Sequence, residues 1–159
     1  MQPLEAAIGH NPSFAPAHAL LGQVLLFAGR GEEGLTRMKH ACRLGPRAFV
    51  AGLSVGYFVC REYRRALEAA EQAIAAAPRY PFARGIAAAS AVALDDRETA
   101  SIHARALLAM QPGFAPASLC RTFGADVDGV SRFTRALESA VALCGARGAS
   151  APAPPPGLG

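Results

Sequence analysis

The sequence predicts an all-α fold: a right-handed superhelical array of antiparallel helix hairpins, closed by a C-terminal capping helix. Three observations carry this prediction: regularly spaced prolines, small residues at fixed places between them, and a helix-favouring composition. Pro12, Pro46, Pro78 and Pro112 are separated by 34, 32 and 34 residues. Each follows a helical stretch and ends it, because proline lacks an amide donor and clashes with the preceding turn. Apolar residues make up 52% of the chain, but many are alanine, tryptophan is absent and β-branched residues are scarce. That balance favours helix over sheet.

The elements follow in order. Leu4, Ala7 and Pro12 read as the tail of a second helix whose partner is missing, so residues 1–12 form a remnant. Residues 13–46 form the first full unit, with Ser13 expected to N-cap the helix holding Leu20 to Ala28. Gly29-Arg30-Gly31 is its turn, and Glu32 and Glu33 open its second helix, where negative charge suits the helix dipole. Residues 47–78 form a second unit two residues shorter, the deletion being expected at the turn near Arg61-Glu62. Residues 79–112 form the third, with Asp95 and Glu98 spaced as a capping box.

The units align residue by residue. His18, Leu21-Gly22 and Leu25, then Gly34, Met38, Ala41 and Pro46 mark the first. Gly52, Val55-Gly56 and Val59, then Ala66, Ala70, Ala73 and Pro78 mark the second. Arg84, Ala87-Ala88 and Ala91, then Ala100, Ala104, Leu107 and Pro112 mark the third. Gly22, Gly34, Gly56 and Ala88 are expected to let paired helices approach, while Leu21, Leu25, Met38 and Tyr57 fill the space between hairpins. No hairpin buries its apolar face alone, so stability sums over neighbouring interfaces. Alanine stands where bulk is expected in the third unit, and each missing large side chain forgoes about 1–2 kcal/mol. Residues 81–110 are therefore expected to be the softest part of the array.

After Pro112 the period stops. Ala117 to Arg121 reads as a short helical patch and Gly124 as a breaker. From Asp126, Val130, Phe133, Leu137, Val141 and Cys144 recur at helical spacing, with Arg132, Arg135 and Glu138 on the other faces and Gly145 as the expected end. Residues 113–145 thus form a capping segment, as a solenoid's open end requires. Residues 146–159, with Pro152 and Pro154-Pro155-Pro156, read as a disordered tail; its proline run reads better as a tail than as an SH3-type ligand.

Little in the chain looks catalytic. His10, His18, His40 and His103 show no metal-ligand spacing on one helix face, and each is better read as a core or surface residue. His40 and Cys42 point to different sides of a helix. Glu32-Glu33, Asp95-Asp96, Asp126 and Asp128 sit at helix starts, where capping accounts for them. Gly29-x-Gly31 is followed by no lysine and does not follow a strand, so it is no phosphate loop. No G-x-S-x-G or H-E-x-x-H occurs. No enzyme activity, metal or cofactor is expected.

Composition narrows the partners. Net charge is +4, from fifteen arginines and the single Lys39 against twelve acidic residues. Only Arg64 and Arg65 are adjacent, so a solvated surface explains the charge better than a nucleic-acid interface does. The uncharged apolar stretch Ala48 to Cys60 is 13 residues and falls short of the ~20 that span a bilayer. Cys42, Cys60, Cys120 and Cys144 have no C-x-x-C spacing and read as small buried hydrophobes. Met1 to His10 has neither a basic start nor an apolar stretch, and the expected compartment is the cytoplasm.

With its period near 34 and a terminal proline in each unit, the chain resembles the tetratricopeptide (TPR) repeat family from its first residues to Pro112. The resemblance implies a protein-interaction scaffold whose first helices line a concave groove. Matched to that pattern, the groove would be lined by Ala19, Gln23, Leu26 and Phe27, then Leu53, Tyr57 and Cys60, then Gly85, Ala89 and Val92. Family members that clamp acidic chaperone tails use lysines and asparagines there, and this chain has none at those places. An apolar partner helix, or a flanking segment of the protein itself, fits better. The layout also resembles the C-terminal repeats of bacterial nucleotide-cyclase or winged-helix signalling proteins, through Arg79-Tyr80-Pro81 and Gln111-Pro112-Gly113-Phe114. This implies the alternative of a regulatory fragment whose active domain lies upstream.

Overall fold

A computed structural model describes residues 2–45, 49–117 and 128–148 of the chain. Eight helices are fully placed among the described residues, with no strand: α1 (Gln2–His10), α2 (Ala15–Phe27), α3 (Gly31–Leu44), α4 (Val50–Val59), α5 (Tyr63–Ala76), α6 (Pro81–Ala93), α7 (Arg97–Met110) and α8 (Asp128–Gly148). Helices α2/α3, α4/α5 and α6/α7 are the three hairpins, and each packs on the next. Pro46, Cys120, Gly124, Asp126, the 118–121 part of the short patch and the tail beyond 148 lie outside the described residues.

The same turn closes every hairpin. Gly29, Arg61 and Asp95 take left-handed φ values of 78°, 64° and 58°. In each, the next amide reaches back to the helix: Arg30 to the Leu25 carbonyl, Glu62 to Tyr57 and Asp96 to Ala91, all at 2.9 Å. These are six-to-one bonds of the Schellman type, which satisfy carbonyls that the helix end would leave orphaned. Glycine adopts the left-handed conformation freely, whereas Arg61 and Asp95 hold it against their Cβ atoms.

This turn corrects the alignment of the second unit. Leu25, Tyr57 and Ala91 are equivalent, so Val59 is not the counterpart of Leu25. The two-residue deletion is also not at Arg61-Glu62, because all three turns have the same length. It lies before the body of α4, which has 10 residues where α2 and α6 have 13. Ser54, fully buried, therefore takes the place of Gly22 and Ala88. Gly56 has a different neighbour: a Cβ there would stand 3.0 Å from Leu35 of the preceding hairpin.

Helix starts also shift. Asp96, not Asp95, caps α7, its Oδ1 accepting from the Thr99 amide at 3.0 Å. Asp95 is instead the left-handed turn residue. Phe14 precedes α2 without a side-chain cap, and the Ser13 amide donates to Asn11 Oδ1 at 3.1 Å. Glu32 and Glu33 do open α3, and Arg30 donates to both Glu33 carboxylate oxygens at 2.8 and 2.6 Å.

Gly22 and Gly34 face each other inside the first hairpin. A Cβ on Gly34 would stand 2.8 Å from the Gly22 carbonyl oxygen, so only glycine permits this approach. The third hairpin packs with alanines: Ala83, Ala87, Ala88, Ala89, Ala91, Ala100 and Ala104 are all fully buried. Bulk reaches it from α8, whose Leu137 and Ala140 join Leu107, Ala100 and Ala104 in one cluster. The missing side chains are thus replaced from a neighbouring element. Helix α8 continues past Gly145 to Gly148.

Candidate functional site: the concave groove

Three helices, α2, α4 and α6, contribute side chains to one apolar cavity. Leu26 and Phe27 contribute from the end of α2, Val55, Phe58 and Val59 from α4, and Phe82 and Ile86 from α6. Together they wall an apolar cavity of about 30 Å³. In α4 and α6 these side chains share one side because they recur at three- and four-residue spacing, while Leu26 and Phe27 are neighbours at the end of α2.

Helix α8 closes this cavity from above with Gly129, Val130 and Phe133. Phe133 packs edge-on against Phe58 at 5.4 Å between centroids, and Phe82 lies 6.5 Å away. Gly129 sits so close to α4 that a Cβ there would stand 3.1 Å from a Val59 methyl. Arg132 ties the contact at its edge. It donates to the Val59 carbonyl at 2.8 Å, to the Tyr63 hydroxyl at 3.0 Å and to Asp128 at 2.9 Å. Its guanidinium thus satisfies a carbonyl at the C-terminal end of α4, where a cation also suits the dipole. Hydrogen bonding from Arg132 holds the Asp128 carboxyl below the usual carboxylate range, with Arg61 adding to this at 3.5 Å.

Of the residues expected to line the groove, Leu26 and Phe27 line this cavity. Ala19 is buried beside Leu26 and Met38, and Gln23 is exposed. Gly85, Ala89 and Val92 lie beneath α8: Gly85 is 3.7 Å from Leu137 and Phe133 at its Cβ position, Ala89 shares a cluster with Phe133 and Ala136, and Val92 packs beside Leu137. Leu53, Tyr57 and Cys60 are not among the cavity's wall residues. Leu53 packs on the Ala19, Leu26 and Met38 cluster. Tyr57 lies under Lys39 and Arg65, at 5.3 and 5.9 Å. The two-residue shift in α4 explains the difference, since it brings Val55 and Phe58 to the places assigned to Tyr57 and Cys60 and makes Val59 the equivalent of Phe27. The equal turns, not the proline spacing, reveal that register.

No group of three metal-capable side chains occurs among the described residues. His18 and His40, distant in sequence, meet across the first hairpin with ring centroids 4.3 Å apart, and His18 Nε2 bonds the Pro12 carbonyl at 2.9 Å. His103 is buried and accepts from Arg84 at 3.2 Å. Burial, then the Arg84 charge, lowers its pKa below the ordinary histidine value. These contacts hold hairpins together. No helix among the described residues is long and apolar enough to cross a membrane.

No protein-family model and no curated protein matches the chain. Solved structures do. The first TPR of Spaghetti (RPAP3), bound to the HSP90 peptide SRMEEVD, superposes with a TM-score of 0.61 at 17% identity, covering 80% of this chain and 93% of that one. A crystal structure of MamA gives 0.66 at 15% identity, covering 92% and 87%. A second MamA structure gives 0.66 at 16%, covering 98% and 86%. At these identities the likeness concerns architecture alone, and the architecture is that of a TPR-like helical solenoid.

Proposed function

We propose that this protein is a non-catalytic protein–protein interaction scaffold whose concave groove takes an apolar segment of a partner. The observation that carries this is the cavity walled by Leu26, Phe27, Val55 and Phe58, on the face that each hairpin presents with its first helix. One structural neighbour was solved with a peptide, which supports a peptide or protein partner here. That peptide ends in acidic residues, whereas this groove is apolar and the chain's single lysine, Lys39, lies over Tyr57. The partner chemistry is therefore apolar rather than acidic. The free thiols of Cys42, Cys60 and Cys144 suit a reducing compartment such as the cytoplasm.

The regulatory-fragment alternative draws no support from the fold. Pro81 opens α6, and Phe114 packs on the cluster around Leu107 and Leu137, so both motifs have structural work. Panning a set of amphipathic helical peptides against the wild-type chain and a Phe27→Asp/Val55→Asp variant tests the scaffold reading. Binding is expected to drop at least tenfold in the variant, by the scale of lost interface anchors. Equal binding by both chains would exclude the groove.

A further inference from the structure

Helix α8 is held in two different ways along its length. In its second half Leu137 and Ala140 are fully buried against α6 and α7. Its first two turns lie over an incompletely filled cavity, and Val130 offers only a short side chain to it. There Phe133 packs on Phe58 and Phe82 and Val130 is buried, while the polar fastening is peripheral. Arg132 supplies the main bonds, while the Arg61–Asp128 pair is two-thirds exposed and holds little. The contact between these turns and the groove is a helix-in-groove complex made within one chain. It also specifies what the groove recognises: a small residue where α4 comes close, an apolar residue next to it, then arginine and phenylalanine.

We propose that the groove's partner is an amphipathic helix of this same pattern that displaces the first two turns of α8. It presents a residue larger than valine to the cavity and an arginine to the Val59 carbonyl. The proposal rests on the scaffold reading and adds the partner's chemistry and its competition with α8. The better-filled cavity gives the incoming helix its advantage, because a void forfeits dispersion contacts along its lining. The second half of α8, buried on α6 and α7, remains in place and keeps the array capped.

A cross-link tests this. A Cβ at residue 129 would stand 3.6 Å from the Val59 Cβ, inside the span of about 3.5–4.5 Å that disulfides need. The full chain carrying Val59→Cys and Gly129→Cys, with the neighbouring Cys60→Ala, can thus be locked or released by oxidation. The probe is a fluorescent peptide of residues 126–142 carrying Val130→Leu, followed by anisotropy. The reduced chain is expected to bind it and the oxidised chain to bind at least tenfold more weakly. In the otherwise native chain, Arg132→Ala should strengthen binding at least fivefold, and in the peptide the same change should weaken it tenfold. Equal binding by the oxidised and reduced chains overturns the proposal, as does absence of binding to the Arg132→Ala chain. A dimer seen by light scattering without peptide, and abolished by the cross-link, makes a second copy the occupant and also overturns it. If the peptide fails while other amphipathic helices still require Phe27 and Val55, this competition falls and the scaffold reading stands.

Discussion

Arg132 donates to the carbonyl oxygen of Val59 at 2.8 Å across 73 residues of chain, tying the first turn of α8 to the last turn of α4. The guanidinium is mostly buried, and without it that carbonyl loses its charged partner. Arg132→Ala is expected to destabilise the fold by about 1.5–3 kcal/mol, the range for hydrogen bonds to charged groups. Urea unfolding measures the loss. Hydrogen exchange should rise in residues 128–134 and stay low in residues 137–144.

Gly34→Ala should cost about 1–3 kcal/mol, because the new methyl meets Leu26 Cγ at 2.7 Å and the Gly22 carbonyl at 2.8 Å. Gly9→Ala is the contrasting case. Nothing lies within 4 Å of its added Cβ, so only the helix-propensity gain of up to about 1 kcal/mol remains. Thermal melts of the two variants should therefore move in opposite directions.

The third hairpin reads as soft from its alanines, yet α6 is flanked by α4 and α5 on one side and by α7 and α8 on the other. Eight residues are buried in α6 and eight in α2, but in α6 Ala83, Ala87, Ala88, Ala89, Ser90 and Ala91 are fully buried. Native-state hydrogen exchange is expected to show α6 amides outlasting those of α2, which has only α1 toward the N-terminal end and leaves Leu20 half exposed. Longer protection in residues 15–45 than in 81–110 would restore the alanine argument.

Acid should loosen the hairpins. The folded-state pKa of His103 is lowered from its ordinary 6.5, mainly by burial, and that of His40 is lowered by burial and by His18. The unfolded chain therefore takes up these protons first. Stability is full above about pH 6.5 and falls as pH drops through that value toward the folded-state pKa values. The Glu71 carboxylate, 3.9 Å from His103 and half exposed, does not reverse the sign. Denaturant midpoints measured between pH 7.5 and 5 should decline, and His103→Gln should flatten part of that decline.

Cys60 should be a sluggish nucleophile. Burial, reinforced by Glu32, pushes its thiol up to about 11. Only about one molecule in a thousand then carries the thiolate at pH 8, and alkylation should run on the order of 100-fold slower than for a free cysteine. Mass spectrometry after timed iodoacetamide treatment follows this site directly, and Glu32→Gln should accelerate it.

Local rules in the sequence determined the helices, the hairpin period and the close pair Gly22 and Gly34. Proline stops, small residues and turn chemistry act within one unit and are written in consecutive residues. The tertiary structure decided the register of α4 and what covers the groove. Proline spacing measures a unit's length but not where two residues are missing, so Tyr57 and Val59 exchange roles once the turns are superposed. Nor does periodicity say which face of α8 meets which helix. Arg132 finds Val59 and Tyr63 some 70 residues away, and Phe133 finds Phe58 and Phe82, because the apolar stripe of α8 has nowhere drier to go than the apolar side chains of α4 and α6.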